Sequence, residues 1–252
     1  MAKVAMITGG ASGIGRAGCL LFAERGVVVV AVDVNKEGLG ETVAQVRALG
    51  GTAYELVADL SQTSCMEAMV ADAAAMHGGL DILWNNAGIN GPQGVEAIAG
   101  GAYAETLRVN LTAGVLASTA AVPYLRKRQG GSILFTSSIS GLVGSARYAV
   151  YSMTKFGMIG FAKSMAVQLA REGIRVNVIC PGAVATPMAD RLAAETKPIN
   201  GKDYRQAALE AVPMGRSADP REIAEAAYWL SSDDASYVTG IAMPVDGGFT
   251  CR

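Results

Sequence analysis

Histidine is nearly absent from this chain of 252 residues: His77 is the only one. The four cysteines, Cys19, Cys65, Cys180 and Cys251, are scattered with no CxxC pair, so neither a disulfide framework nor a Cys/His zinc centre is indicated and no metal site is expected. A Ser-His-Asp hydrolase is disfavoured as well, because there is no Gly-x-Ser-x-Gly elbow and His77 precedes the serine-bearing strand instead of following it. Charge of one sign is also lacking. Lys and Arg number 21 against 22 Asp and Glu, for a net charge of -1, without the basic excess that a nucleic-acid groove carries. The longest apolar run, residues 27–32, falls far short of the roughly 20 residues needed to span a bilayer. No signal-peptide h-region occurs near Met1, so a soluble protein in a reduced, cytoplasmic setting is expected, with neither nucleic acid nor membrane as partner.

What the chain does have is apolar bulk. Apolar residues make up 51% of it and charged residues 17%, which is enough for a large core and argues against disorder. No linker or repeat divides it, so one domain over residues 1–252 is expected. Seven β-branched runs (4–8, 27–33, 52–57, 80–85, 132–137, 175–180 and 241–245) read as strands. Between them, residues 16–25, 36–49, 61–77, 103–128, 151–172 and 220–230 carry apolar side chains at helical intervals. Strands without polar alternation need helices on both faces. The expected fold class is therefore α/β, a doubly wound, seven-stranded parallel sheet of Rossmann type, with ligands at the carboxyl ends of the strands. Residues 187–216 break the alternation, and a long polar insertion of this kind reads as a substrate lid.

Directly after the first strand come Gly9, Gly10, Ala11, Ser12, Gly13, Ile14 and Gly15, and a helix opens at Arg16. Glycines here let the backbone turn sharply and approach a pyrophosphate, which the free amides and dipole of the helix N-terminus then hold. Asp33, 18 residues after Gly15, ends the second strand, where a carboxylate can accept both ribose hydroxyls of adenosine. A triphosphate loop is excluded, because Arg16 and Ala17 stand where such a loop needs Lys and Ser or Thr. The charge of Asp33 would repel a 2′-phosphate, and neither Val34 nor Asn35 supplies an arginine to offset it. NAD is thus expected over NADP, with Lys36 the one nearby cation.

Tyr151 and Lys155 are four residues apart on a helical stretch, so their side chains share one face. An ammonium about 5 Å from a phenol, at an effective dielectric of about 20, stabilises phenolate by roughly 3 kcal/mol, on the order of two units below tyrosine's usual value of about 10. That brings a general base towards working pH. Ser138, just beyond the fifth strand, can hold a substrate oxygen beside the phenol.

At this point the chain resembles the short-chain dehydrogenase/reductase family over essentially its whole length. The matching elements are Gly9-x-x-x-Gly13-x-Gly15, Asp59, Asn85-Asn86-Ala87-Gly88, Asn110, Ser138 with Tyr151 and Lys155, Pro181-Gly182 with Thr186, and Asp246-Gly247-Gly248. The spacing is that of the short single-domain oxidoreductases. The resemblance implies that Tyr151 is the acid/base, that Lys155 lowers its pKa and binds the nicotinamide ribose, that Ser138 positions the substrate oxygen, and that Asn110 holds a water and the lysine in a proton relay. It also implies that Asp59 and Leu60 touch adenine, that Asn86, Ala87 and Gly88 line the adenosine side, that Ile14 backs the cofactor, and that Val184 and Thr186 hold the carboxamide. Tyr103 is taken as core packing.

The activity expected is NAD-dependent hydride transfer between a secondary alcohol and nicotinamide. The alternatives are an NADPH-dependent 3-oxoacyl-type carbonyl reductase and a non-catalytic dinucleotide-binding regulator. The substrate pocket should form from residues 89–92, 140–148 and the 187–216 lid, where Arg147, Arg191 and Arg205 are either anion ligands or solvated surface. Small residues at Ala113, Gly114, Ala117, Gly157 and Gly160 suit close helix packing, and the resemblance implies a homo-oligomer, dimer or tetramer.

Overall fold

The computed structural model describes residues 2–195 and 204–251. Strands β1 (Val4–Thr8), β2 (Val28–Asp33), β3 (Ala53–Val57), β4 (Ile82–Asn85), β5 (Gly131–Thr136), β6 (Ile174–Pro181) and β7 (Ala242–Val245) form one sheet in the order β3-β2-β1-β4-β5-β6-β7. Every pairing is parallel, as the unalternating strands required. Alternate residues of β1 show why polar alternation is absent. Val4 and Met6 enter one core, Ala5 and Ile7 the other, and all four are fully buried.

Helices α1 (Gly13–Glu24), α2 (Lys36–Ala48), α3 (Met66–Met76), α4 (Gly100–Leu107), α5 (Ala113–Lys127), α6 (Ala149–Leu169), α7 (Pro187–Glu195), α8 (Tyr204–Glu210) and α9 (Pro220–Ser231) complete the described residues. α1, α2 and α9 cover one face with Phe22, Leu39, Val43, Ile223 and Leu230. α3, α5 and α6 cover the other with Met69, Val70, Leu125, Met158 and Met165. Burial of these apolar faces at about 25 cal/mol per Å² is the main stabilising term.

Three expectations need correction. The single helix expected over 103–128 is two helices, α4 and α5, joined by a π turn at Arg108–Thr112 centred on Asn110. A periodicity count cannot see one widened turn, which keeps both flanks helical. The helix expected over 61–77 opens later, after a 3₁₀ turn at Thr63–Cys65. Tyr103 is not in the core but 37% exposed on α4. The segment expected to be a lid carries α7 and α8, while residues 196–203 of it lie outside the described residues.

Candidate active site

β1 crosses to β2 on one side and neighbours β4 on the other, so the connections leaving β1 and β4 diverge and open a crevice at the carboxyl ends of the strands. The glycine-rich turn fills its floor. Gly10 N donates to Val32 O at 3.0 Å, tying the turn to β2. Gly9 adopts φ +72, a left-handed conformation open to glycine, and a Cβ on Gly15 would stand 2.0 Å from Gly9 O. No side chain could replace hydrogen at Gly15 without breaking the turn. A cradle this tight, opening α1 with exposed Ser12 at its N-cap, fits a dinucleotide pyrophosphate.

Asp33 closes one end. Its carboxylate accepts from Ala11 N (3.1 Å) and Asn35 N (3.0 Å), so it braces the glycine turn while lining the cleft. Arg16, which ruled out a triphosphate loop, points the other way. It donates to Ala11 O, Gly38 O, Thr42 Oγ1 and Glu41, stitching α1 to α2. Asp59 is exposed, and its carboxyl is held below the ordinary value by the Ser61 backbone N–H and then by the Ser61 hydroxyl. Leu60 lines the same cleft. On the opposite rim, Thr186 caps α7 through Ala189 N and lies where a Cβ on Gly13 would come within 3.2 Å of its methyl. Val184 pairs in register with Ala218, and Gly182 N donates to Val245 O; Pro181, Gly182 and Val184 thus line the cleft from fixed backbone.

The reactive end is built by β5 and α6. Lys155 is 2% exposed, and its ammonium donates to Thr136 O at 2.7 Å and lies 5.3 Å from the Tyr151 ring centroid. Burial pushes the lysine down to about 8, against a small upward pull from Cys180. The Thr136 carbonyl and the π face of Tyr151 are the neighbours that offset this burial, and the amine borders the cleft. Ser138 continues the strand in extended backbone, and its Oγ accepts from Ser140 N at 3.1 Å, capping the 3₁₀ turn Ile139–Gly141. Ser137 Oγ donates to Lys155 O at 3.0 Å, locking α6 against the end of β5. Tyr151, Lys155 and Ser138 therefore line one cleft with the glycine turn and Asp33.

Asn110 sits beside the reactive pair. Its side chain is buried in the π turn, with Oδ1 accepting from Ile89 N (2.7 Å) and Nδ2 donating to Ile89 O (2.8 Å), so the carboxamide clamps the loop after β4. It neighbours the lysine: a Cβ on Gly88 would lie 3.3 Å from Asn110 Oδ1 and 3.6 Å from Lys155 Nζ.

The cleft holds about 1060 Å³, room for a dinucleotide and a small substrate together. Ile89, Val109, Ile139, Val143, Met188 and Leu192 give it apolar walls. All three sequence-flagged arginines line it, and Arg205 is ion-paired with Asp190. Sequence reasoning missed Thr136, Ser137, Glu105 and Phe249 as contributors. Thr136 acts through a backbone carbonyl, which no side-chain motif announces.

Residues 9–250 match the family described as Enoyl-(Acyl carrier protein) reductase. The 3-oxoacyl-[acyl-carrier-protein] reductase of Thermotoga maritima is 36% identical over 246 residues, covering 98% of this chain and 97% of that protein. The cyclohexanol dehydrogenase of an Acinetobacter species is 36% identical, covering 99% and 96% respectively. The crystal structure of levodione reductase superposes with a TM-score of 0.93 at 34% identity, covering 99% of this chain and 98% of that one.

Proposed function

The chain belongs to the short-chain dehydrogenase/reductase family, and from that premise we propose that it is an NAD-dependent oxidoreductase interconverting a secondary alcohol and its ketone. The observation that carries this reading is the buried Lys155 ammonium against the Tyr151 ring, in one cleft with Ser138 and a glycine cradle that tolerates no Cβ. The coenzyme, when bound, supplies the hydride acceptor for oxidation and the donor for reduction. Gly9, Ser12, Gly13, Ile14 and Gly15 hold its pyrophosphate side, Asp33 the adenosine ribose, Asp59 and Leu60 the adenine, and Asn86, Ala87 and Gly88 the inner wall. Pro181, Gly182, Val184 and Thr186 orient the carboxamide end.

Tyr151 takes the carbinol proton on oxidation and returns it on reduction, and Lys155 holds charge beside the phenol so that the oxygen can give up its proton. The Ser138 hydroxyl donates to the substrate oxygen as negative charge develops there. Asn110 acts as a positioning residue, holding the Ile89 backbone that walls the substrate. The apolar wall suits an alicyclic body, in line with relatives that act on cyclohexanol and levodione. NADH appearance with cyclohexanol, against NADPH consumption with a 3-oxoacyl thioester, tests the assignment; turnover of the thioester alone would replace it.

Coenzyme choice follows from Asp33. A carboxylate at this site costs a 2′-phosphate several kcal/mol by repulsion. Asp33→Ala combined with Val34→Arg, the latter at an exposed position on the cleft rim, is expected to shift the NADP/NAD ratio of kcat/KM by about 10²-fold or more. An unchanged ratio removes Asp33 as the ribose anchor.

The free thiols of Cys19, Cys65, Cys180 and Cys251 suit a reduced, cytoplasmic setting, and no helix among the described residues is long and apolar enough to cross a membrane. α6 presents Met153 and Phe156 at 43% and 47% exposure, in line with Gly157 and Gly160, and α5 adds Leu116. This face forms the homo-oligomer contact. Phe156→Glu is expected to lower the mass found by light scattering by half or more, and an unchanged mass would put the contact elsewhere.

A further inference from the structure

The indole N–H of Trp84 is a donor without acceptor capacity, which fixes the direction of every hydrogen bond downstream of it. Trp84 Nε1 donates to Thr136 Oγ1 at 2.8 Å. A hydroxyl has a single proton, so that proton is left for Asn86 Oδ1, 3.1 Å away. The oxygen end of the Asn86 carboxamide is thereby committed towards Thr136. Its Nδ2 is directed to Thr8 O (3.1 Å) and lies where a Cβ on Gly15 would come within 2.8 Å and one on Gly9 within 3.0 Å. Thr8 Oγ1 accepts from the backbone N–H groups of Asn86 (2.9 Å) and Ala87 (3.1 Å), closing the network around the glycine turn. Trp84 is fully buried, Thr136 7% exposed, and Gly18 makes room for the indole: a Cβ there would stand 2.2 Å from its ring.

We propose that Trp84 and Thr136 are positioning residues for the coenzyme, a buried relay that locks the Asn86 carboxamide against the glycine-rich turn. Thr136 also lends its carbonyl to the Lys155 ammonium, so one residue ties the coenzyme cradle to the reactive pair. The side chain of Thr136 serves the cradle and its backbone serves the lysine, and substitution separates the two. The inference rests on the coenzyme-binding reading above. Wild-type affinity for NADH tests that reading, and the ratio of variant to wild type tests the relay.

Thr136→Val keeps the shape and the carbonyl but removes the hydroxyl. It is expected to weaken NADH binding about tenfold in fluorescence titrations without substrate, with the loss falling on coenzyme KM more than on kcat. Thr136→Ser, which restores the hydroxyl, is expected to bind within about twofold of wild type. Trp84→Phe removes the other donor and is expected to weaken binding several-fold, and the double variant to be no weaker than Thr136→Val alone. In the enzyme without coenzyme, Thr136→Val should shift one of the two indole N–H resonances and leave that of Trp229 in place. Unchanged NADH affinity in Thr136→Val overturns the proposal, as does equal impairment of the Val and Ser variants, which is the signature of packing alone. If Thr136→Val does not fold, wild-type affinity in Trp84→Phe overturns it.

Discussion

Tyr151→Phe is expected to bind NADH within about twofold of the wild type while kcat falls by on the order of 10³, the range over which a positioned acid/base contributes. The substitution isolates one atom. Phenylalanine keeps the ring against which the Lys155 ammonium lies 5.3 Å from the centroid, so the buried charge retains its π neighbour and its bond to Thr136 O. What disappears is the hydroxyl that would exchange a proton with the carbinol. NADH fluorescence gives the binding constant, and absorbance at the reduced nicotinamide band gives turnover. Turnover within tenfold of wild type would remove Tyr151 from the chemistry. Turnover absent from the wild type itself, with coenzyme still bound, would instead favour a dinucleotide-binding regulator. Ser138→Ala removes a donor whose oxygen already accepts from Ser140 N, and a smaller loss of about 10²-fold is expected.

The parts of this site that could be read from sequence are those in which a residue type is forced by space or charge. Gly15 is forced because any Cβ would collide with Gly9 O, and Asp33 is distinctive as a carboxylate closing an apolar strand. The strands were legible because burial on both faces makes their interiors continuously apolar, as β1 and β4 show, with polar Thr8 and Asn85 only at their carboxyl ends. What escaped was carried by backbone or by local helix geometry. The π turn at Arg108–Thr112 leaves the apolar spacing on either side intact, yet it aims Asn110 at Ile89 and so gives its side chain a clamping task that spacing does not announce. Thr136 holds the lysine through its carbonyl, an atom every residue possesses. Tyr103 lies at the surface because α4 is largely exposed, with Thr106 its one buried residue, so an aromatic type alone does not place it in the core.

Lys155→Met is expected to make the protein more stable and nearly inactive. At 2% exposure the ammonium is displaced from 10.5 to about 8 by burial, and at about 1.36 kcal/mol per unit this costs the folded state about 3 kcal/mol. Replacing the charge with a thioether of similar length removes that cost but forfeits the bond to Thr136 O, worth about 1 kcal/mol, for a net gain near 2 kcal/mol at pH 7 in urea titrations. The sign has a pH signature. Because the folded-state value is depressed, the unfolded chain binds more protons between about pH 8 and 10.5. The wild type therefore gains stability from this group as pH rises through that window, and the advantage of Lys155→Met shrinks there. Below pH 8 both states of the wild type are protonated and the gap holds steady. Over the same range kcat of the variant should stay at least about 10³-fold below wild type at pH 7, since no charge remains beside the Tyr151 phenol. A protein that keeps a destabilising buried ammonium is maintaining it for the cleft it faces; a variant gap that failed to narrow between pH 8 and 10.5 would show that the ammonium is hydrated in solution.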